Sequence, residues 1–214
     1  MPRSIKVVIP MVLSLVLAIA APASRAEDRR EEAWREKTEA IDTLFDLGGE
    51  AAAAGIVFYL KDRELAVRSY AMRRLVDLGP VAVDSLIAAL GNEEVRWLAS
   101  GALINIGNES LRKTVLALKH ADPVVRRNAL FILRQLDARA AAPSIQAALS
   151  DSDPSVQVQA IHTVAQFGGE GALRLVMGKV DSSDPQVRRA AEEALRKVGG
   201  GRRPSGGITE VCPP

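Results

Sequence analysis

The sequence predicts an all-α fold, an α-α superhelical solenoid of about five short helix-turn-helix repeats. Three observations carry that prediction. Asp-Pro pairs begin at positions 122, 153 and 184, a constant step of 31 residues. Within each step apolar residues fall at i, i+4, i+8 and i+11, a single stripe of an α-helix, and a glycine or a substitute for it closes the stripe. The composition is 48% hydrophobic but only 4% aromatic, so the apolar volume lies in Ala, Leu, Val and Ile, which suit close helix packing better than sheets.

The chain opens with a leader, 1–26. Arg3 and Lys6 form a basic head, Val7 to Ala20 is apolar apart from Pro10 and Ser14, and Ala21-Pro22-Ala23 and Ser24-Arg25-Ala26 offer small-residue cleavage points. That is the pattern of a secretory signal, and cleavage is expected after Ala26, where the charged run Glu27 to Glu32 begins. Retained, the leader would make the protein a membrane-tethered scaffold. Its apolar run, however, is shorter than the roughly 20 residues a spanning helix needs, and it contains a proline. No second run of that length follows, so no membrane span is expected after cleavage. The expected location is outside the cytoplasm, periplasmic or secreted. Loss of the leader removes Arg3, Lys6 and Arg25 and no acid, taking the formal charge from +2 to −1. A near-neutral chain without a basic block argues against nucleic acid as a partner.

Residues 27–61 read as a degenerate capping repeat. Ile41 and Phe45 hold its first stripe, Gly49 the stop, and Ala53, Ile56 and Leu60 the second stripe, with a charged leading edge around Trp34. Such a cap covers the open core face at the end of a stack. The solenoid proper is expected over 62–198. Its first stripes are Val67, Ala71, Leu75, Leu78; Val95, Ala99, Leu103, Ile106; Val125, Ala129, Leu133, Leu136; Val156, Ala160, Val164, Phe167; and Val187, Ala191, Leu195, Val198. Gly79, Gly107, Asp137, Gly168 and Gly199 stand at the stops. Second stripes follow at Val83, Leu86, Leu90; Leu111, Thr114, Leu118; Ala142, Ile145, Leu149; and Leu173, Val176, Val180. The Asp-Pro pairs start first helices, with Asp as N-cap and Pro preset for the first helical position. Residues 199–214 read as a disordered Gly/Pro-rich tail holding the one cysteine, Cys212, expected to be an unpaired thiol.

Ala82-Val83-Asp84-Ser85-Leu86-Ile87-Ala88-Ala89-Leu90, together with the Asp-Pro-x-Val-Arg-x-x-Ala pattern at Asp184 to Ala191, resembles the short HEAT repeats of the PBS-lyase HEAT-like group. The resemblance spans about 62–198 and implies the solenoid fold; it says little of function, because one fold hosts many. The group includes bilin lyases, a deoxyhypusine-modifying di-iron enzyme and plain scaffolds. The di-iron branch implies paired His-Glu steps, whereas the two histidines here, His120 and His162, precede Ala121 and Thr163. A bilin-lyase-like or other cofactor-handling enzyme is therefore the competing reading, and no cofactor, metal or catalytic residue is assigned.

Four surface features are candidates for function. Arg68, Arg96, Arg126 and Arg188 recur one place after the stripe valine, with Gln157 breaking the column, and are expected to form a ladder between repeats with the Asp caps. Trp97 falls in a column otherwise filled by Ser69, Arg127, Val158 and Arg189, so it should be exposed, a possible contact anchor. The outward columns of the second helices are Asp84, Arg112, Pro143, Arg174; Ser85, Lys113, Ser144, Leu175; and Ala88, Leu116, Ala147, Gly178. Such helices usually line a concave face, here a weakly charged groove with a basic spot at Arg112 and Lys113. The protein-binding residues expected are Trp97, Arg112, Lys113, Leu116, Arg174 and Leu175, and the partner a protein or peptide. His162 shares a mixed surface column with Arg73, Gly101, Phe131 and Glu193 and reads as a solvated side chain rather than a ligand. The function expected is that of an exported, non-enzymatic scaffold for protein-protein interaction; its partner and oligomeric state are not legible.

Overall fold

A computed structural model describes residues 27–200, and every regular element among them is helical. The leader (1–26), the tail from 201 onward and Cys212 lie outside the described residues. The described chain forms two compact units that divide after Leu78.

The first unit holds α1 (27–47), α2 (Gly49–Phe58) and α3 (Leu65–Asp77), with a 3-10 turn at Tyr59–Lys61. Gly48 and Gly49, both at positive φ, reverse the chain between α1 and α2. Ile41, Ala53, Ile56, Leu60, Val67, Ala71 and Leu75 are fully buried, as their stripes require. A polar rung crosses from α1 to α3. The Tyr70 hydroxyl donates to the Asp42 carboxylate at 2.8 Å, and Arg74 Nε donates to the same group at 2.8 Å. The Arg74 guanidinium lies over the Phe45 ring, 4.7 Å from its centroid, and Trp34 meets Tyr70 edge-on. The charged leading edge is thus the outer part of one continuous helix, joined to α3 through its aromatic residues.

The second unit holds α4 (Val83–Ala89), α5 (Arg96–Ile106), α6 (Asn108–Ala117), α7 (Pro123–Gln135), α8 (Ala142–Ala147), α9 (Pro154–Phe167), α10 (Glu170–Met177) and α11 (Pro185–Gly200). The last helix runs through Gly199 instead of stopping there. First helices α5, α7, α9 and α11 pack in file as one layer, and second helices α4, α6, α8 and α10 each pack against the next first helix. The first three columns of the first stripes are buried except at the half-buried Leu195, and Leu103 and Leu133, with Ile145 of a second stripe, stand at 0% exposure. The fourth column, Ile106, Leu136 and Phe167, is only half-buried. By i+11 the helix has reached the end of its layer, where no further turn covers the side chain.

The helix starts follow the caps. Asp122 Oδ1 accepts from the Val124 amide at 2.8 Å, Asp153 Oδ1 from Ser155 at 2.9 Å, and Asp184 Oδ1 from Gln186 at 2.8 Å. Gly91 makes room for the first of these, since a Cβ there would come within 2.9 Å of Asp122 Oδ2. Asp137, at φ 48°, is the one non-glycine residue at positive φ among the described residues and ends α7 in the left-handed region. Buried polar groups join neighbouring elements. Asn128 Nδ2 on α7 donates to Leu90 O just past α4 at 3.2 Å, and Thr163 Oγ1 on α9 donates to Leu130 O on α7 at 3.4 Å.

Candidate functional site

The recurring arginines do not form the expected ladder between repeats. They brace the loop that precedes their own helix. Arg68 Nη1 donates to the carbonyls of Asp62 and Arg63, Arg126 Nη1 to those of His120 and Ala121, and Arg188 Nη1 to those of Ser182 and Ser183, all between 2.7 and 3.0 Å. The column residue sits at the first turn, so its head folds back over carbonyls five and six residues earlier. Gln157, read as a break in the column, makes the same bond, Nε2 to Asp151 O at 2.7 Å. Arg96 departs from the pattern: its Nε is buried without a hydrogen-bond partner. Only Arg126 also reaches the next repeat, in a fork with Nε to Asp151 Oδ2 at 2.8 Å and Nη2 to Oδ1 at 2.7 Å. Burial pushes the Asp151 carboxyl up, but the hydrogen bonds from Arg126 and from the Asp153 amide outweigh it and hold the group below its ordinary value. Arg68, Arg126 and Arg188 are thus structural and spent on the fold.

On the second-helix face, α6 and α8 part to leave a cleft of about 390 Å³ lined by Leu111, Arg112, Val115, Leu116, Ala138, Ala140, Ala141, Pro143 and Ser144. Its origin is local. The link from α7 to α8 is built of alanines, Ala138 and Ala140 to Ala142, around a 3-10 turn at Arg139–Ala141, and α8 has only six residues. Methyl side chains leave unfilled the space that Leu or Ile would occupy, so the leucine and valine flank of α6 stays open. Leu116 is 59% exposed at the cleft.

Of the residues expected to bind a partner, the cleft brings together Arg112 and Leu116. Lys113 is committed elsewhere, its Nζ 2.6 Å from Asp84 Oδ2 on α4, so the basic spot expected at Arg112 and Lys113 reduces to Arg112. Arg174 is exposed on α10, and Leu175 is half-buried against the core cluster around Leu133 and Val164. Trp97 is 68% exposed, but on the first-helix layer, where it meets the Phe131 ring edge-on at 5.9 Å. His162 is half-buried, not simply solvated, because Arg134 and Lys197 from the neighbouring first helices wall a notch around it. Burial, then the charges of Arg134 and Lys197, hold its pKa below the ordinary histidine value, against a smaller upward pull from Glu193.

Among the described residues no group of three or more His, Cys, Asp or Glu is placed to hold a metal ion, and no helix is long and apolar enough to cross a membrane. The chain is an α-helical repeat protein of the solenoid class. Residues 111–196 match the HEAT repeats family. No curated protein matches the chain. It is similar to several solved structures. One is the complex of CpcE and CpcF of phycocyanin lyase from Nostoc sp. PCC7120, with 19% identity over 67% of this chain and 98% of that one and a TM-score of 0.49. Another is human deoxyhypusine hydroxylase, with 20% identity over 77% and 79% and a TM-score of 0.46. A third is a designed armadillo repeat protein in complex with the peptide (KR)4, with 20% identity over 78% and 91% and a TM-score of 0.40.

Proposed function

We propose that this chain is an exported, non-enzymatic scaffold that holds an apolar peptide or helix of a protein partner on its second-helix face. The observation that carries the reading is the cleft between α6 and α8. Its floor and walls are almost wholly aliphatic, Leu116 stands exposed at its edge, and Arg112 and Ser144 supply the few polar groups that would orient a ligand. A leucine or isoleucine side chain entering it would leave water for apolar contact, gaining about 1.5–3 kcal/mol for each side chain fully buried. The leader supports export, and the absence of any His-Glu step beside His120 or His162 supports a binding role over di-iron chemistry.

Peptides selected on the full chain from a random displayed library test the cleft. Leu116→Glu is expected to weaken the selected peptides by tenfold or more, an estimate from placing a charge in a desolvated contact, while Arg189→Ala on the other helix layer leaves them unchanged. Selected peptides indifferent to Leu116→Glu would refute the site. Sequencing the mature N-terminus is expected to read Glu27 first, and a retained Met1 would refute cleavage. A pigment or metal absorbance carried by the purified protein would overturn the non-enzymatic reading.

A further inference from the structure

The first-helix layer of the second unit carries a different kind of surface, independent of the aliphatic cleft. A notch of about 200 Å³ opens among α7, α9 and α11, lined by Arg134, His162, Ala165, Gln166, Ala194 and Lys197. Every ionisable group on that lining is a base. Neither α7 nor α9 contains an acidic residue. Of the two acids on α11, Glu192 is exposed and outside the notch lining, and Glu193 is engaged with Arg189, its Oε1 3.0 Å from Arg189 Nε. Arg134 and Lys197 have no carboxylate within ion-pair distance among the described residues, in contrast to Arg126 and Lys113, which do.

The arginine is also positioned. Its guanidinium lies over the Phe131 ring at 5.5 Å, Gln166 Nε2 donates to its backbone carbonyl at 3.2 Å, and its Nε is buried without any hydrogen-bond partner. Leaving a buried cationic donor unpaired is costly unless a water or ion satisfies it, and Arg134 differs from Arg96, whose Nε is also unpaired, in lining an open notch beside a second unpaired cation. We propose that this notch is a binding site for a single oxyanion, a carboxylate or a phosphate group, held between the Arg134 guanidinium and the Lys197 ammonium with His162 at its wall. The volume is ample for one such group. Guanidinium and ammonium donors are the chemistry that recognises these anions.

The site has an internal reporter. The charges bearing on His162 are Arg134 from α7 and Lys197 and Glu193 from α11. An anion seated between the two cations cancels their repulsion of the imidazolium, so His162 must become easier to protonate. By linkage, the anion must bind more tightly once His162 is protonated. His120, the other of the two histidines, is exposed and lies outside the notch, and serves as the control.

The experiment is a pH titration of both imidazole rings by NMR on the full chain, in sodium chloride, in inorganic phosphate and in N-acetylglutamate at equal ionic strength. His162 is expected to titrate below the ordinary histidine value in chloride and to rise by roughly half a unit or more in at least one oxyanion, about a threefold change in proton affinity. A response to phosphate alone assigns a phosphate group, and a response to N-acetylglutamate assigns an acidic side chain. Lys197→Gln, an exposed change in the last turns of α11, is expected to abolish the rise while leaving the helical circular dichroism unchanged. A His162 titration identical in all three salts, a rise shared equally by His120, or a rise that survives Lys197→Gln would overturn the proposal.

Discussion

The Arg126 fork offers a direct measurement of what joins one repeat to the next. Arg126 and Arg188 make the same two bonds to loop carbonyls, but only Arg126 adds a carboxylate, with side chains just 12% and 11% exposed at Arg126 and Asp151. Removing a carbonyl brace costs about 1 kcal/mol. Two charge-assisted bonds in a mostly, but not wholly, desolvated pair add about 2 kcal/mol, below the value for a fully buried pair. Arg188→Ala should therefore cost about 1 kcal/mol and Arg126→Ala about 3 kcal/mol. In a chain of this size the latter lowers Tm by roughly 6–12 °C. Asp151→Asn keeps the Oδ1 acceptor for the Asp153 amide and for Arg126 Nη2 but removes the charge and the Oδ2 acceptor of Arg126 Nε, so a double-mutant cycle with Arg126→Ala in urea unfolding measures that part of the fork, with an expected coupling of about 1–2 kcal/mol. The acid limb has a defined sign. Because the folded Asp151 carboxyl titrates below its ordinary value, the coupling is complete above the unfolded aspartate pKa of about 3.9 and is lost as pH falls through the lower folded value. Equal costs for Arg188→Ala and Arg126→Ala, or a coupling near zero at pH 7, would refute the assignment of Arg126 as a joint.

Leu133→Asp places a carboxylate at a position with 0% exposure inside the core cluster; a loss of several kcal/mol is expected, and unchanged thermal melting would contradict the register of α7. Gly91→Ala brings a Cβ to 2.9 Å from Asp122 Oδ2, so the cap must shift and about 1 kcal/mol should be lost; an Ala variant as stable as the parent in urea would show that the cap does not depend on this approach.

The repeat was readable because burial imposes it. Val125, Ala129 and Leu133 must face the same side of a helix, and a second helix must follow to keep them dry, so the columns survive even where their chemistry drifts. The arginine column was visible, but its role was not. Position in a column places a side chain on a surface without saying whether it reaches forward to the next repeat or back to its own loop, and the Gln157 bond shows that the carbonyl is the common target. The cleft between α6 and α8 was hidden for a different reason. It is missing volume, made by alanines that read as ordinary helix formers, and absent side chains leave no mark in a pattern of present ones. The notch at His162 escaped because Arg134, His162 and Lys197 occupy different columns of three repeats, and only the stagger of α7, α9 and α11 brings them together.

The loop brace has an evolutionary corollary. A unit whose opening arginine closes on its own preceding carbonyls carries its fastening with it, so copying that unit in tandem requires no matching change in the segment it joins. Growth or loss of whole units is then tolerated wherever the fastening is internal, as at Arg188. The junction held by Arg126 and Asp151 is the exception: a copy of either adjoining unit inserted there re-forms the fork once and leaves one charge without its partner, which makes it the point in this array where the count of units is hardest to change.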